Sequence, residues 1–208
     1  MKKNLLFLLL FLMSNIFFAQ DFHIGFRLGL NYNSYNLKNY KLDTWRIYSR
    51  GQTNFEAGIK ADVIFSDKFG ASTGFIYADL GDSFFLGVDL SSYERTYHTY
   101  YIQVPILGKY LLSEKLHFFV GPQIYLLSSV KAKSIHIVGT HKEITNEDLT
   151  KKFKPLLTGI TVGMSYQFDN RIFLQAGFYT TFGYIDYDQG NGQWHMSGVS
   201  FSVGYFIF

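Results

Sequence analysis

Asn54-Phe55-Glu56-Ala57-Gly58-Ile59-Lys60-Ala61-Asp62-Val63-Ile64-Phe65 is the stretch that decides the fold. Read with a period of two, Phe55, Ala57, Ile59, Ala61, Val63 and Phe65 fall on one face. Asn54, Glu56, Gly58, Lys60, Asp62 and Ile64 fall on the other. Period two belongs to an extended strand, whose side chains alternate between its faces. A slip of one residue would move Glu56, Lys60 and Asp62 onto the apolar side. The register is therefore strongly specified.

Seven further segments read the same way, over residues 22–33, 69–78, 100–110, 117–126, 158–168, 174–183 and 198–207. That predicts eight strands. One face is apolar throughout, as in Phe22, Ile24, Phe26, Leu28, Leu30 and Tyr32 of the first strand. The opposite face carries five charges, Arg27, Glu56, Lys60, Asp62 and Lys109, together with Gln103, Gln123 and Gln175. It also carries 12 of the 19 glycines.

Two architectures share that alternation. A soluble barrel turns its apolar face inward, and a membrane barrel turns it out to lipid. The glycines separate them. The interior of an eight-stranded barrel is only just wide enough for side chains. Arg27, Lys60 and Lys109 need small neighbours there. A water-facing surface gains nothing from glycines, which cost backbone entropy. In the membrane reading, a lysine moved to the lipid face costs about 2–4 kcal/mol at the midplane. The sequence thus predicts an all-β, eight-stranded, antiparallel up-and-down transmembrane barrel. Its lumen is expected to hold a structural polar network of Arg27, Glu56, Lys60, Asp62, Gln103, Lys109, Gln123 and Gln175. A salt-bridged plug is favoured over a small polar pore, because buried charge requires partners.

Composition agrees. The mean hydropathy is near zero at +0.04, which argues against a bundle of long apolar helices. The chain has 22 Phe and 16 Tyr, enough to coat an outer face. It has no Cys, which excludes disulfide scaffolds, thiol redox sites and Cys-ligated zinc. Lys2 and Lys3 precede the apolar run from Leu5 to Met13, and Phe18-Ala19-Gln20 ends the segment. Residues 1–19 therefore read as a secretory signal peptide, with 20–208 as the barrel domain. A retained helical anchor would need a longer run, and Ser14 and Asn15 interrupt this one. Loss of Lys2 and Lys3 lowers the net charge from +3 to +1. No basic patch suited to nucleic acid remains. Lys131, Lys133, Lys142, Lys151, Lys152 and Lys154 are mixed with Glu143, Glu147 and Asp148 and read as a solvated loop.

The connections alternate in length. Ser66-Asp67-Lys68, Ser113-Glu114-Lys115 and Asp169-Asn170-Arg171 are short polar turns. Residues 34–53, 79–96, 128–155 and 185–194 are long. Outer-membrane barrels have short periplasmic turns and long outward loops. The expected placement is the cell outer membrane, with both termini periplasmic and the long loops extracellular. Tyr32, Trp45, Tyr110, Tyr166, Tyr184 and Trp194 suit interfacial girdles. Phe208 stands where assembly machinery reads a terminal aromatic, one position out of step with Phe201, Val203, Tyr205 and Ile207.

Tyr100-Tyr101-Ile102-Gln103-Val104-Pro105-Ile106-Leu107-Gly108-Lys109-Tyr110 resembles the fourth strand of small Bacteroidota outer-membrane β-barrel proteins. Ile24-Gly25-Phe26-Arg27-Leu28-Gly29-Leu30-Asn31 resembles that family's first strand, and Phe119-Val120-Gly121-Pro122-Gln123 its fifth. The likeness covers the whole mature chain. Gln103 stands where the family often has Glu. The family comprises barrels of the OmpA type and includes PorT-like proteins linked to type IX secretion and gliding. The resemblance implies fold and location more than an activity.

No motif calls for a cofactor or metal, and no GxSxG, P-loop or dinucleotide fingerprint is present. His98, His136, His141 and His195 lie in or near the long loops with Asp79, Asp82, Asp89, Asp186 and Asp188. They are the material for a rim hydrolase acting on lipid or peptide, although polar loop residues explain them as well. The expected function is a non-enzymatic scaffold or interaction barrel, with a PorT-like secretion component as the alternative. Expected partners are outer-membrane lipid and assembly machinery, with a secretion-system or surface protein as a further candidate.

Overall fold

A computed structural model of the protein describes residues 21–38, 47–88, 91–138, 140–183 and 193–207. Residues 1–19, Trp45, Tyr184, Asp89, Asp186, Asp188, Phe208 and the side chain of Trp194 lie outside the described residues.

Eight strands run in antiparallel order around a closed ring. They are β1 (Asp21–Lys38), β3 (Gln52–Ile64), β4 (Phe69–Asp79), β6 (Ser91–Leu111), β7 (Leu116–Val138), β9 (Leu156–Gln167), β10 (Ile172–Thr181) and β11 (Gln193–Phe206). Each pairs with its neighbour in sequence among these eight, and β1 pairs with β11 to close the barrel. Three short strands lie in the long connections: β2 (Ile47–Ser49), β5 (Ser83–Val88) and β8 (His141–Asp148). β2 pairs with β5, β5 with the start of β6, and β8 with the end of β7.

The alternation turns out as the inverted pattern demands. Phe26, Leu30, Phe55, Phe75 and Phe201 are each more than half exposed. Arg27, Glu56, Lys60, Asp62 and Lys109 are buried. The apolar outer run of β1 spans residues 22–32, close to the 9–11 residues a tilted strand needs to cross a bilayer. Tyr32, Tyr110 and Tyr166 sit near the ends of the outer band, between about two-fifths and one-half exposed.

The three short turns form as read. Phe65 N donates to Phe69 O, Leu112 N to Leu116 O and Phe168 N to Ile172 O. Arg171 adopts φ 67° in the third turn, the left-handed residue that a three-residue hairpin uses. Its side chain donates through Nη1 to Ile207 O at 2.8 Å, tying the turn to the barrel seam.

The long connections differ from the expectation of plain loops. β6 begins at Ser91, inside the segment assigned to loop 79–96. β7 runs on to Val138, and β8 follows within the segment 128–155. These strands stand beyond the outer apolar band, where both sheet faces meet water or the mouth filling. The greasy-versus-polar contrast that marks a lipid-bathed strand is lost there, so the extension leaves no such signature. A bulge between Tyr100 and Tyr101, opposite Leu127 to Ser129, marks the step from barrel to extension. It shifts the inward set of β7 from Phe119, Gln123 and Tyr125 to Val130, Ala132 and Ser134.

Candidate functional site

The lumen is built in layers from the short-turn end upward. Phe173 and Phe206 close the bottom, with ring centroids 4.6 Å apart. Lys60 Nζ lies 4.5 Å from the centroid of Phe173, a cation–π contact. On its other side Lys60 Nζ is 3.2 Å from Asp62 Oδ2. Lys109 Nζ donates to the same oxygen at 2.6 Å, and Ser72 Oγ donates to Asp62 Oδ1 at 2.6 Å. One carboxylate thus serves two ammonium groups and a hydroxyl.

Arg27 donates through Nη2 to Glu56 Oε1, both groups being buried. On the opposite wall Thr161 Oγ1 donates to Gln123 Oε1, and Gln123 Nε2 donates to Gln103 Oε1. Tyr179 OH donates to Asn33 Oδ1, and Asn33 Nδ2 donates to Asn31 Oδ1. Gln175 lies in the same interior, beside a gap of about 10 Å³ that also touches Arg27, Lys60 and Ser72. That gap has room for about one water. Arg27 Nε and Gln175 Oε1, both buried, have no protein partner. All eight residues named from the sequence therefore face the interior, each at most 6 % exposed. Seven of them bond to one another or to a neighbouring polar side chain.

The top of the lumen is different. Tyr35, Ala78, Leu80, Tyr101, Tyr125, Leu157, Tyr179 and Met196 make a buried apolar cluster, joined from above by Phe84, Tyr97, Leu149 and Phe153. Leu149 and Phe153 flank the short 3-10 turn Thr150–Lys152. Both are buried, which folds this connection over the mouth. Sequence reading missed this cap. Its signal was present as the bulky residues Tyr101, Tyr125 and Tyr179 on the face otherwise marked by glycine and charge.

Asp82 anchors the connections at the mouth. Its carboxylate accepts Tyr35 N at 2.7 Å, Ser49 Oγ at 2.6 Å and Ser83 N at 2.7 Å. Burial pushes this carboxyl up from its ordinary value, and the three donors oppose the shift.

Of the rim histidines, His98 is paired, its Nδ1 lying 2.6 Å from Asp79 Oδ2. Asp79 is also held by Thr99 N at 3.0 Å. His136 packs edge-on against Tyr93, and His141 stands opposite Val138 at the start of β8. His195 faces Asn36 in the β1–β11 register. The histidines are thus spread around the rim. Among the described residues no three His, Asp or Glu side chains gather as a metal would require.

The outer membrane protein beta-barrel domain family matches residues 18–187 of the chain. Among solved structures, Ail, the attachment invasion locus protein of Yersinia pestis, is 13% identical, with a TM-score of 0.47 over 90% of this chain and 100% of that one. Neisserial surface protein A is 11% identical, with a TM-score of 0.42 over 88% of this chain and 96% of that one. OprG of Pseudomonas aeruginosa is 10% identical, with a TM-score of 0.40 over 89% and 95%. No curated protein matches the chain. With eight strands closed into a ring, an apolar outside and this match over most of its length, the chain belongs to the outer membrane protein beta-barrel domain family.

Proposed function

We propose that the protein is a non-enzymatic outer-membrane barrel that presents its tall β5–β6–β7–β8 sheet outside the cell and keeps a sealed lumen. The observation that carries this reading is the stacking of three fillings in one interior. Phe173 and Phe206 lie at the bottom, the Arg27–Glu56 and Lys60–Asp62–Lys109 groups lie above them, and the apolar mouth cluster lies on top. The gap among the described lumen residues Arg27, Lys60 and Gln175 is only about 10 Å³, room for about one water, which supports a filled lumen. The His98–Asp79 pair lacks a neighbouring nucleophile in the hydrogen bonds it makes, which supports a structural role.

Orientation has a direct test, because the chain has no cysteine. Thr140→Cys, in the β7–β8 turn, should react with a membrane-impermeant maleimide on intact cells. Ser113→Cys, in a short turn, should react only after lysis. The reverse pattern overturns the orientation. Planar-bilayer recording tests the seal: a steady conductance that changes with Lys60→Ala overturns the plug. A secretion role of the PorT type draws support from the Tyr100–Tyr110 motif alone, and a deletion strain that secretes and glides normally would remove it.

A further inference from the structure

The lysines that read as a solvated loop are sorted by the fold. In the β7–β8 extension alternate residues point to opposite faces. Val130, Ala132 and Ser134 are buried toward the mouth, so Lys131 and Lys133 project outward, and both are exposed. The register places Lys131 opposite Asp148 and Lys133 opposite Asn146, so Asp148, Asn146 and Lys142 share that outer face. Glu147 stands opposite Ala132 and points inward, where Arg95 Nη2 holds it at 2.7 Å. Glu143, four residues earlier, shares the inner face. The apparent mixture of signs therefore separates, with cations outward and most carboxylates inward.

Two open clefts meet at Asp148 on the outer wall. One, of about 410 Å³, is lined by His98, Lys131, Lys133 and Asn146 among others. The second, of about 730 Å³, is lined by Ser128, Ser129, Thr150, Lys151 and Lys152 among others. The carboxylates nearby are already engaged, including Glu147 of the first cleft's lining, which Arg95 holds. Asp148 accepts Thr150 Oγ1 at 2.6 Å, and Asp79 accepts His98. Glu94 stands higher, opposite Ile135.

The position of this patch identifies its occupant. His98 stacks on Tyr100, and Tyr100 stacks on Tyr77 at 5.7 Å and 8° between planes. This aromatic ladder is the upper edge of the lipid-facing band, continuous below with Ile102 and Ile106. Four lysines directly above the edge of an acyl-chain surface lie at headgroup depth. We propose that Lys131, Lys133, Lys151 and Lys152 form a lateral site for a phosphate-bearing lipid headgroup in the leaflet at the long-loop end. The site depends on the barrel spanning a bilayer, and on nothing about which side the long loops face.

The test uses the full mature chain in phosphatidylcholine nanodiscs doped with diphosphoryl lipid A, with retained lipid A counted by native mass spectrometry. Insertion is scored first, by heat-modifiable gel migration, so a failed barrel is distinguished from a failed site. Each lysine lost near an anionic lipid surface should weaken retention roughly fivefold. Lys131→Gln with Lys133→Gln should lose lipid A, Lys131→Arg with Lys133→Arg should keep it, and Lys68→Gln with Lys115→Gln at the short-turn end should not change it. Equal retention in the Gln pair, or equal loss in the short-turn control, overturns the site. Complete displacement by inorganic phosphate overturns the lipid as its occupant.

Discussion

Lys109 on β6 reaches across the intervening strand β4 to donate to Asp62 on β3, Nζ to Oδ2 at 2.6 Å, with both side chains almost fully buried. The β4 residues under this reach are small: Gly70 lies opposite Lys109, and Ser72 lies opposite Asp62. Asp62 is also the carboxylate beside Lys60. Asp62→Asn would leave two ammonium groups in the barrel interior without a counter-charge. Removing one partner of a buried ion pair costs about 3–5 kcal/mol. Urea unfolding of the barrel in lipid vesicles should show a loss of that order. Adding Lys109→Gln to Asp62→Asn should recover part of it. A double variant no more stable than the single one would mean that Lys109 does not depend on Asp62.

Gly204 is where the interior leaves no room for a side chain. A Cβ there would come within 2.2 Å of the Phe173 ring and 2.3 Å of Phe26 O. Phe173 in turn carries the cation–π contact with Lys60. Gly204→Ala should therefore cost about 1–3 kcal/mol through overpacking. Gly183→Ala, which meets nothing within 4 Å, should be close to neutral. The same unfolding assay compares them, and equal midpoints would remove the steric account.

These two sites also show what was legible in the sequence and what was not. Arg27, Lys60 and Gly204 could be placed because lipid wets the outer face of their strands, so every second residue records which side it occupies. The barrel strands were read to within a few residues at the short-turn end for that reason. Above Tyr100 and Leu126 the rule stops. Ser91–Thr99 and Ser129–Val138 are still strand, but their outer face meets water, and Lys131 or Glu94 is as acceptable there as an apolar residue. The mouth cluster escaped for the converse reason. Tyr101 and Tyr125 lie on the inner face, which the sequence reads by its charges, amides and glycines and not by its bulky residues. The pairing of particular charges was also out of reach, since Asp62 and Lys109 are 47 residues apart and meet only because β4 pairs with both of their strands.

The connection that covers the mouth should be separable from the barrel. Leu149 and Phe153 are its buried anchors, and Phe153 packs against Tyr97 with ring centroids 6.2 Å apart. The intervening segment is tied to β7 by Leu149 N to Val130 O, Val130 N to Thr150 Oγ1 and Leu127 N to Pro155 O. Leu149→Ser with Phe153→Ser should release this segment while the ladders of β7 and β9 persist. Limited trypsin digestion should then cut at Lys151 or Lys152, with cleavage rising at least several-fold. Heat-modifiable gel migration should stay as in the parent. Loss of both together would mean that the mouth filling is part of the barrel's global stability.

The same turn supplies a pH dependence with a defined sign. The Thr150 hydroxyl and backbone N–H hold the Asp148 carboxyl below its usual value of 3.8, with Lys131 and Lys151 adding to the effect. A lowered pKa means that the folded turn binds this proton more weakly than the unfolded chain does. The contribution is therefore fully present above the usual carboxylate value and is lost as the pH falls through the lowered one. The Thr150 amide resonance should hold its position from neutral pH down to the ordinary carboxylate range and move only below it. In Asp148→Asn that titration should vanish, because no group with the lowered value remains beside Thr150. Salt should shift the midpoint upward, since Lys131 and Lys151 act through solvent and are screened. A midpoint at or above 3.8 in the parent protein would show that the Thr150 contacts do not hold the carboxylate in its charged form.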